Sequence, residues 1–219
     1  MKALFIADAH SSALAASRLR EKFADADIDL IAIAGDITDD GRAESAERVL
    51  NELNFAKKII AVPGNMDGRQ VVELLEKKGI LLHKGKIEFG GYTFIGLGGA
   101  IPYNTFYKFG LGDLEAKNAL NELLPGTNPK KTILVTHSPP YDTKIDLAGF
   151  GVHLGCREIN RAIEKFQPLL HICAHVHEAK GEIEIGKTKS INVGPLKEGN
   201  ALLAEFNGKM RLHMEHFEI

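Results

Sequence analysis

Five short apolar runs in this chain each end on side chains that can bind a metal ion. The runs occupy residues 4–7, 30–34, 59–62, 133–136 and 169–174. Such runs, bounded by glycine or proline, predict buried strands, and clefts in buried sheets open at the carboxyl ends of the strands. The side chains that follow these runs are, in chain order, Asp8, His10, Asp36, Asn65, His137, His175 and His177. One aspartate or histidine after a strand is more often a helix cap or a hydrogen-bonded core residue, but repetition at five strand ends predicts one shared site.

The donor atoms of this set indicate which ions the site would take. Carboxylates, an amide oxygen and imidazoles, without a thiolate cluster, suit Mn²⁺, Fe, Co²⁺, Ni²⁺ or Zn²⁺ rather than a structural zinc held by cysteines. The two cysteines, Cys156 and Cys173, are too few for a disulfide framework and are typical of a reduced compartment. A formal net charge of −2 and a pI near 6.5 argue against a surface dedicated to duplex nucleic acid.

The order and spacing of these residues resemble a known family, the calcineurin-like metallophosphoesterases. The matching pieces are Asp8-Ala9-His10, Gly35-Asp36, Gly64-Asn65, His137 and His175-Val176-His177. The segments at residues 136–141 and 194–196 resemble more particularly the small prokaryotic branch of phosphoesterases related to cyclic-nucleotide phosphodiesterases. The resemblance spans almost the whole chain. It implies an α/β fold in which two facing mixed β-sheets are flanked by helices, a four-layer αββα sandwich.

The resemblance also implies how the seven side chains divide between two divalent metal ions, with Mn²⁺ as the first expectation. One ion would be held by Asp8, His10, Asp36 and His177. The other would be held by Asp36, Asn65, His137 and His175, so that Asp36 bridges the pair. Two carboxylates leave two divalent ions with a net positive charge, which attracts phosphate. The implied activity is hydrolysis of a small phosphate ester by in-line attack of a metal-bridging hydroxide, with Asp36 and Asn65 among the catalytic residues.

One departure from the family pattern concerns the proton for the leaving group. Met66 stands where many members carry a histidine, and a thioether cannot donate a proton. The adjacent Asp67 is then either a catalytic supporting residue or the N-cap of the following helix. We name His153, in a glycine-rich loop, as the candidate replacement acid. The alternative for His153 is an ordinary histidine on the surface or at the entry to a helix.

Two further departures leave the ligand set intact. Ala174 stands where a glycine usually precedes the paired histidines, and its methyl group is compatible only with a negative φ. Val193 replaces a proline that relatives often carry between an asparagine and a glycine, which relaxes a turn.

The rest of the sequence is consistent with a single domain covering residues 1–219, long enough to bury a sizeable core. Apolar periodicity predicts helices at residues 12–24, 42–54, 68–78 and 156–167, alternating at first with strands of a largely parallel sheet. Short antiparallel strands are predicted at residues 183–185, 189–193, 201–206 and 211–217. The segment at residues 101–107 carries Tyr103 and Tyr107, which we interpret as a cleft wall, a homodimer contact or ordinary packing. The other histidines, His83, His171, His213 and His216, are predicted to have no catalytic role.

These observations favour a metal-dependent phosphoesterase, most particularly a phosphodiesterase, with a small phosphate ester as its partner. The alternatives are a phosphomonoesterase, or a catalytically weak scaffold of the same fold used for protein binding. Retention of a metal-binding side chain at every ligand position favours the enzyme. We expect a cytoplasmic protein, because no signal peptide or membrane span is recognisable before the first strand.

Overall fold

The computed structural model describes residues 1–102 and 106–219, and of Phe150 it describes the backbone alone. The α-helices of the described residues are α1 (Ala13–Lys22), α2 (Ala43–Glu52), α3 (Arg69–Lys77), α4 (Asp113–Leu123) and α5 (Arg157–Phe166). The strands are β1 (Lys2–Ile6), β2 (Leu30–Ala34), β3 (Lys58–Val62), β4 (Gly85–Phe89), β5 (Tyr92–Leu97), β6 (Thr132–Thr136), β7 (Leu147–Ala148), β8 (Val152–His153), β9 (Leu170–Cys173), β10 (Gly181–Ile185), β11 (Thr188–Asn192), β12 (Asn200–Phe206) and β13 (Met210–His216). No helix in these ranges has the length and apolar character needed to cross a bilayer.

The strands form two large mixed sheets and a small hairpin. The first sheet has the order β13-β12-β1-β2-β3, in which β1, β2 and β3 are parallel and β12 and β13 are antiparallel. The second has the order β10-β11-β9-β6-β5-β4, with a parallel centre made of β11, β9, β6 and β5. The hairpin pairs β7 with β8. Parallel strands of both sheets therefore supply the strand ends that carry the predicted site.

Successive side chains of a strand point to opposite faces of the sheet. The core is therefore divided into three clusters, one between the two sheets and one between each sheet and its helices. Ala3 and Phe5 of β1 pack between the sheets, against residues of the second sheet such as Phe94. Leu4 and Ile6 point the other way and pack against α1, α2 and α3. On the far side, alternate residues of β5 and β6 pack against α4 and α5. Two sheets packed face to face, each covered by helices, confirm the predicted four-layer αββα sandwich.

The predicted helices are confirmed as α1, α2, α3 and α5, each shorter by one or two residues at its ends. Ser12, predicted as the first helical residue, is instead the N-cap, and its side chain accepts a hydrogen bond from the backbone N–H of Ala15 at 3.2 Å. The prediction that the late strands are antiparallel is confirmed for β11 on the side of β10, but on its other side β11 runs parallel to β9. Residue-level patterns set which face a strand buries but not which neighbour it pairs with.

Candidate metal centre

All seven candidate ligands lie at one edge of the sandwich, where strand ends from both sheets meet. Asp8 and His10 follow β1, Asp36 follows β2 and Asn65 follows β3. His137 directly follows β6, and both His175 and His177 follow β9. The convergence that the sequence predicts is therefore present, and it requires the two sheets to be docked.

One half of the cluster joins Asp8, His10 and His177. Their ligand atoms all lie within 4.8 Å of one another. The Nε2 atoms of His10 and His177 are 3.2 Å apart, and His177 Nε2 lies 3.6 Å from Asp8 Oδ2. Asp8 Oδ2 also accepts a hydrogen bond from the backbone N–H of His175 at 3.2 Å.

The other half brings ligand atoms of Asp8, Asp36 and His137 within 4.8 Å of one another, and Asn65 and His175 lie beside His137. His137 Nε2 lies 2.9 Å from Asn65 Oδ1 and 3.6 Å from Asp36 Oδ2, and the rings of His137 and His175 are 5.1 Å apart. Asp36 Oδ2 is also 3.9 Å from His10 Nε2, so this oxygen lies between the two halves. His137 Nδ1 is 2.8 Å from the carbonyl oxygen of Ala34, which accepts only if Nδ1 carries the proton. That hydrogen bond leaves the lone pair of His137 Nε2 directed at the cluster.

The backbone is strained at four of the seven positions. Asp8, His10, Asp36 and His175 have φ values of +51°, +47°, +48° and +74°. A non-glycine residue in this left-handed region costs about 1–3 kcal/mol, and such residues concentrate at functional sites. Ala174, in contrast, is not among the described residues with positive φ, which explains why its methyl group is tolerated.

Two glycines in the motifs are required by close approach. A Cβ on Gly64 would lie 2.1 Å from both the backbone nitrogen and Oδ1 of Asp36. A Cβ on Gly35, whose φ is +93°, would lie 2.4 Å from His137 Nδ1. Neither position can accept a larger residue without displacing a candidate ligand.

The electrostatics of the cluster fit a bound cation. Asp8 is fully buried, and its Oδ1 has no hydrogen-bond partner in the described structure. Burial raises the pKa of Asp36 well above its ordinary value, and the charges of Asp8 and Asp67 raise it further. Burial opposes ionisation of Asp8 too, but a hydrogen bond to His177 and nearby imidazoles outweigh it and lower the pKa of Asp8. An orphaned carboxylate oxygen among converging imidazole nitrogens is the donor set that a divalent transition-metal ion requires.

The Asp67 carboxylate is hydrogen-bonded to the backbone of the loops that carry Asp36 and Asn65. Its Oδ2 accepts hydrogen bonds from the backbone N–H groups of Gly64 and Ile37 at 2.8 and 3.2 Å. Its Oδ1 accepts from the backbone N–H and the hydroxyl of Thr38, both at 3.0 Å. The alternative that Asp67 caps the following helix is wrong, because the N-cap of α3 is Gly68. Asp67 instead ties the loop after β2 to the loop after β3.

His153 is not joined to the cluster by any contact that the described residues show. Its Nδ1 lies 2.7 Å from Oδ1 of the buried Asp146, and its Nε2 lies 3.7 Å from Asp142 Oδ1. Its loop does border the cluster, since Asn192 Nδ2 donates both to the carbonyl of Ile145 and to the carbonyl of Val176, between the two paired histidines.

Two further residues contact candidate ligands through hydrogen bonds that the sequence does not predict. Asp39 Oδ1 lies 2.5 Å from His10 Nδ1 and so fixes the orientation of that ring. The position of Asp39 in the sequence, three residues after Asp36 in the same loop, is the feature that could indicate this role. Tyr107 lies with its hydroxyl 3.1 Å from His175 Nε2, as the cleft-wall interpretation requires, and burial with the charge of Asp36 raises its pKa to about 12. Tyr103 lies outside the described residues.

A two-sheet α/β sandwich with carboxylate, amide and imidazole side chains converging at one edge is the arrangement that the sequence resemblance implies. A family model described as calcineurin-like phosphoesterase matches residues 1–179, and the chain belongs to that family.

Individual proteins are also similar to this chain. The uncharacterized protein MJ1162 of Methanocaldococcus jannaschii is 30% identical over 221 residues, covering 95% of this chain and 98% of that protein. The 3',5'-cyclic-nucleotide phosphodiesterase alr5338 of Nostoc sp. is 23% identical over 154 residues, 69% of this chain and 57% of that protein. The crystal structure of a dimetal phosphatase from Danio rerio is similar in fold, with a TM-score of 0.70 at 14% identity over 99% of this chain and 96% of that one.

Proposed function

We propose that this protein is a dinuclear-metal phosphoesterase that hydrolyses a small phosphodiester. The observation that carries the proposal is the position of Asp36 Oδ2, which lies 3.6 Å from His137 Nε2 and 3.9 Å from His10 Nε2. A carboxylate between two groups of nitrogen and oxygen donors is suited to bridge two ions. The orphaned Oδ1 of the buried Asp8 supports the same proposal, because it lacks any other partner in the described structure.

The proposed ligands divide into two sets that share one residue. Asp8, His10, Asp36 and His177 would hold one ion, and Asp36, Asn65, His137 and His175 would hold the other. Divalent ions bound there, Mn²⁺ first among the candidates, would acidify a water nucleophile and stabilise the charge that develops on the phosphoryl group. The residues themselves orient the donors: Asp39 fixes His10, and the carbonyl of Ala34 fixes His137.

The preference for a diester follows from Met66. Its backbone N–H donates to Asp36 Oδ1 at 2.7 Å, so the residue stands beside the cluster, but its side chain offers no proton. An alkyl monoester would feel that loss more, because a diester carries less charge and bound metal ions can help its alkoxide to leave. The similarity to a protein named as a cyclic-nucleotide phosphodiesterase also favours a diester.

His153 is the proposed source of a proton for leaving groups that need one. The buried Asp146 orients its Nδ1 at 2.7 Å, which leaves Nε2 as the nitrogen that can exchange a proton. We expect His153→Ala to slow hydrolysis of a diester with an alkyl leaving group by about 10²-fold, the lower end of what a general acid contributes. Hydrolysis of bis-p-nitrophenyl phosphate should be nearly unchanged. Equal rates for the variant and the wild type on the alkyl ester would remove His153 from the mechanism.

The test of the proposed function compares bis-p-nitrophenyl phosphate with p-nitrophenyl phosphate as substrates of chelator-stripped protein given Mn²⁺. We expect diester turnover that requires both Mn²⁺ and Asp36, so Asp36→Ala should be inactive. Asp27→Ala is the matched control, because the Asp27 side chain is 79% exposed and pairs with Lys57 on the surface. Faster turnover of the monoester would favour a phosphomonoesterase. Silence on both esters with two ions bound would favour the protein-binding scaffold.

A further inference from the structure

A short segment that the metal-ligand motifs do not include lies over the cluster. We call residues 106–110 the tyrosine strap. The backbone N–H groups of Lys108 and Phe109 both donate to the carbonyl oxygen of Asn65, at 2.7 and 3.1 Å. Lys108 Nζ donates to the carbonyl oxygen of Asp39 at 2.9 Å. The strap is therefore fixed to two loops that carry or orient candidate ligands.

This anchoring fixes the position of Tyr107. The hydroxyl of Tyr107 lies 3.1 Å from His175 Nε2, and the two rings meet edge to face with centroids 5.7 Å apart. Tyr107 is partly buried, so its hydroxyl is held among the site residues rather than exposed to bulk water.

The hydrogen bond between Tyr107 and His175 cannot coexist with coordination by the same nitrogen. Only the unprotonated nitrogen of a neutral imidazole has a free lone pair, which either accepts a hydrogen bond or binds a metal ion. If His175 holds its ion through Nε2, that ion takes the acceptor away from the Tyr107 hydroxyl. A partly buried hydroxyl without an acceptor is energetically unfavourable. The Tyr107 O–H would therefore rotate to donate its hydrogen bond to an acceptor bound beside the ion.

We propose that Tyr107 binds substrate, its hydroxyl donating a hydrogen bond to a phosphoryl oxygen of the ester. This inference rests on the proposed function and deepens it by naming a residue that recognises the phosphate. Phosphoryl oxygens are charged acceptors and form the shorter, stronger class of hydrogen bond. The Met66 side chain, at the position of the absent histidine, supplies no donor, whereas the Tyr107 side chain carries one. No proton is transferred in this role.

The experiment compares Tyr107→Phe with wild-type protein, using inorganic phosphate as the probe. Isothermal titration calorimetry first measures the Kd for Mn²⁺ in the metal-free proteins and then the Kd for phosphate in the Mn²⁺-loaded proteins. We expect Tyr107→Phe to bind phosphate about tenfold more weakly, the usual effect of losing a hydrogen bond to a charged group. Its affinity for Mn²⁺ should be equal to or higher than that of the wild type, because the competing hydrogen bond to His175 is gone.

Tyr92→Phe is the matched control. Tyr92 opens β5, at the end of the strand away from the site, and packs against Phe206 with ring centroids 4.6 Å apart. We expect this variant to bind both Mn²⁺ and phosphate like the wild type. Thermal unfolding of both variants checks that the fold is kept.

The outcomes separate this inference from the function on which it rests. If wild-type protein binds phosphate only with Mn²⁺ and Tyr107→Phe binds it equally well, the role of Tyr107 is refuted and the proposed function stands. Weaker Mn²⁺ binding by Tyr107→Phe with unchanged phosphate affinity of the loaded protein would also refute it, since Tyr107 would then only support His175. Wild-type protein that binds neither Mn²⁺ nor phosphate would overturn both proposals.

Discussion

Replacing Asp36 with asparagine should make the metal-free protein more stable and the metal-loaded protein less so. The ligand atoms of Asp8, Asp36 and His137 lie within 4.8 Å of one another, and the first two are buried carboxylates. Asparagine has the shape of aspartate, and its oxygen can keep the hydrogen bond from the backbone N–H of Met66 at 2.7 Å. The substitution therefore removes a charge with little change in packing.

The size of the effect follows from the separation of the charges. Two carboxylate oxygens within 4.8 Å of each other repel by about 3.5 kcal/mol or more at an effective dielectric constant of 20. Protonation of one carboxyl relieves part of this repulsion, so we expect Asp36→Asn to raise the free energy of unfolding of the metal-free protein by about 1–3 kcal/mol. For a chain of this size, that is an increase in Tm of about 2–12 °C.

The assay is thermal unfolding followed by circular dichroism, in chelator and in saturating Mn²⁺. An ion at 100 times its Kd stabilises the wild type by about 2.7 kcal/mol, and Asp36→Asn should lose most of that gain. Asp146→Asn is the control. Asp146 is also fully buried but accepts hydrogen bonds from backbone N–H groups and lies 2.7 Å from His153 Nδ1, so its replacement should lower the Tm and leave the Mn²⁺ shift intact. A lower Tm for metal-free Asp36→Asn, or an unchanged Mn²⁺ shift, would refute the reasoning.

Three further outcomes follow from the structure. Gly64→Ala should abolish Mn²⁺ binding in calorimetry, whereas Gly181→Ala, whose Cβ would meet nothing within 4 Å, should leave it unchanged; equal affinities would contradict the close approach. Asp39→Ala should weaken Mn²⁺ binding about 10–100-fold because His10 loses the partner at its Nδ1, and an unaltered Kd would show that this partner is dispensable. Burial lowers the pKa of His171 to about 3, so the unfolded chain takes up a proton below its ordinary pKa of 6.5 while the folded protein does not. The contribution of His171 to the free energy of unfolding should be complete above pH 6.5 and fall towards pH 3. When the free energy of unfolding is measured by urea titration at each pH, its slope against pH in that range should be smaller in His171→Gln by up to about 1.4 kcal/mol per pH unit. The same slope in the variant and the wild type would contradict this prediction.

The convergence of the candidate ligands could be predicted from the sequence because each of them lies one to four residues after the end of a buried strand. Strand ends are local features, and the parallel arrangement brings them to one edge. Roles that depend on contacts between distant loops could not be predicted in the same way. The orientation of His10 by Asp39 and the approach of Tyr107 to His175 depend on how those loops pack.

Local features of the fold could also be predicted, whereas pairing between distant segments could not. The amphipathic period predicted α1, α2, α3 and α5, whereas α4 was not recognised, although Asp113 and Glu115 in its first turn are a signal for a helix start. The parallel pairing of β11 with β9 depends on a crossover that no short segment encodes.

The location of the candidate centre has a consequence for how the protein unfolds. Asp8 belongs to the first sheet and His175 to the second, and they are 167 residues apart in the chain. Ions held between them would be coordinated by both sheets only after the two sheets have packed together. This coordination would not form in the early stages of folding, so it would leave the folding rate almost unchanged and slow unfolding instead. Exposure to a strong chelator would then shorten the lifetime of the folded protein.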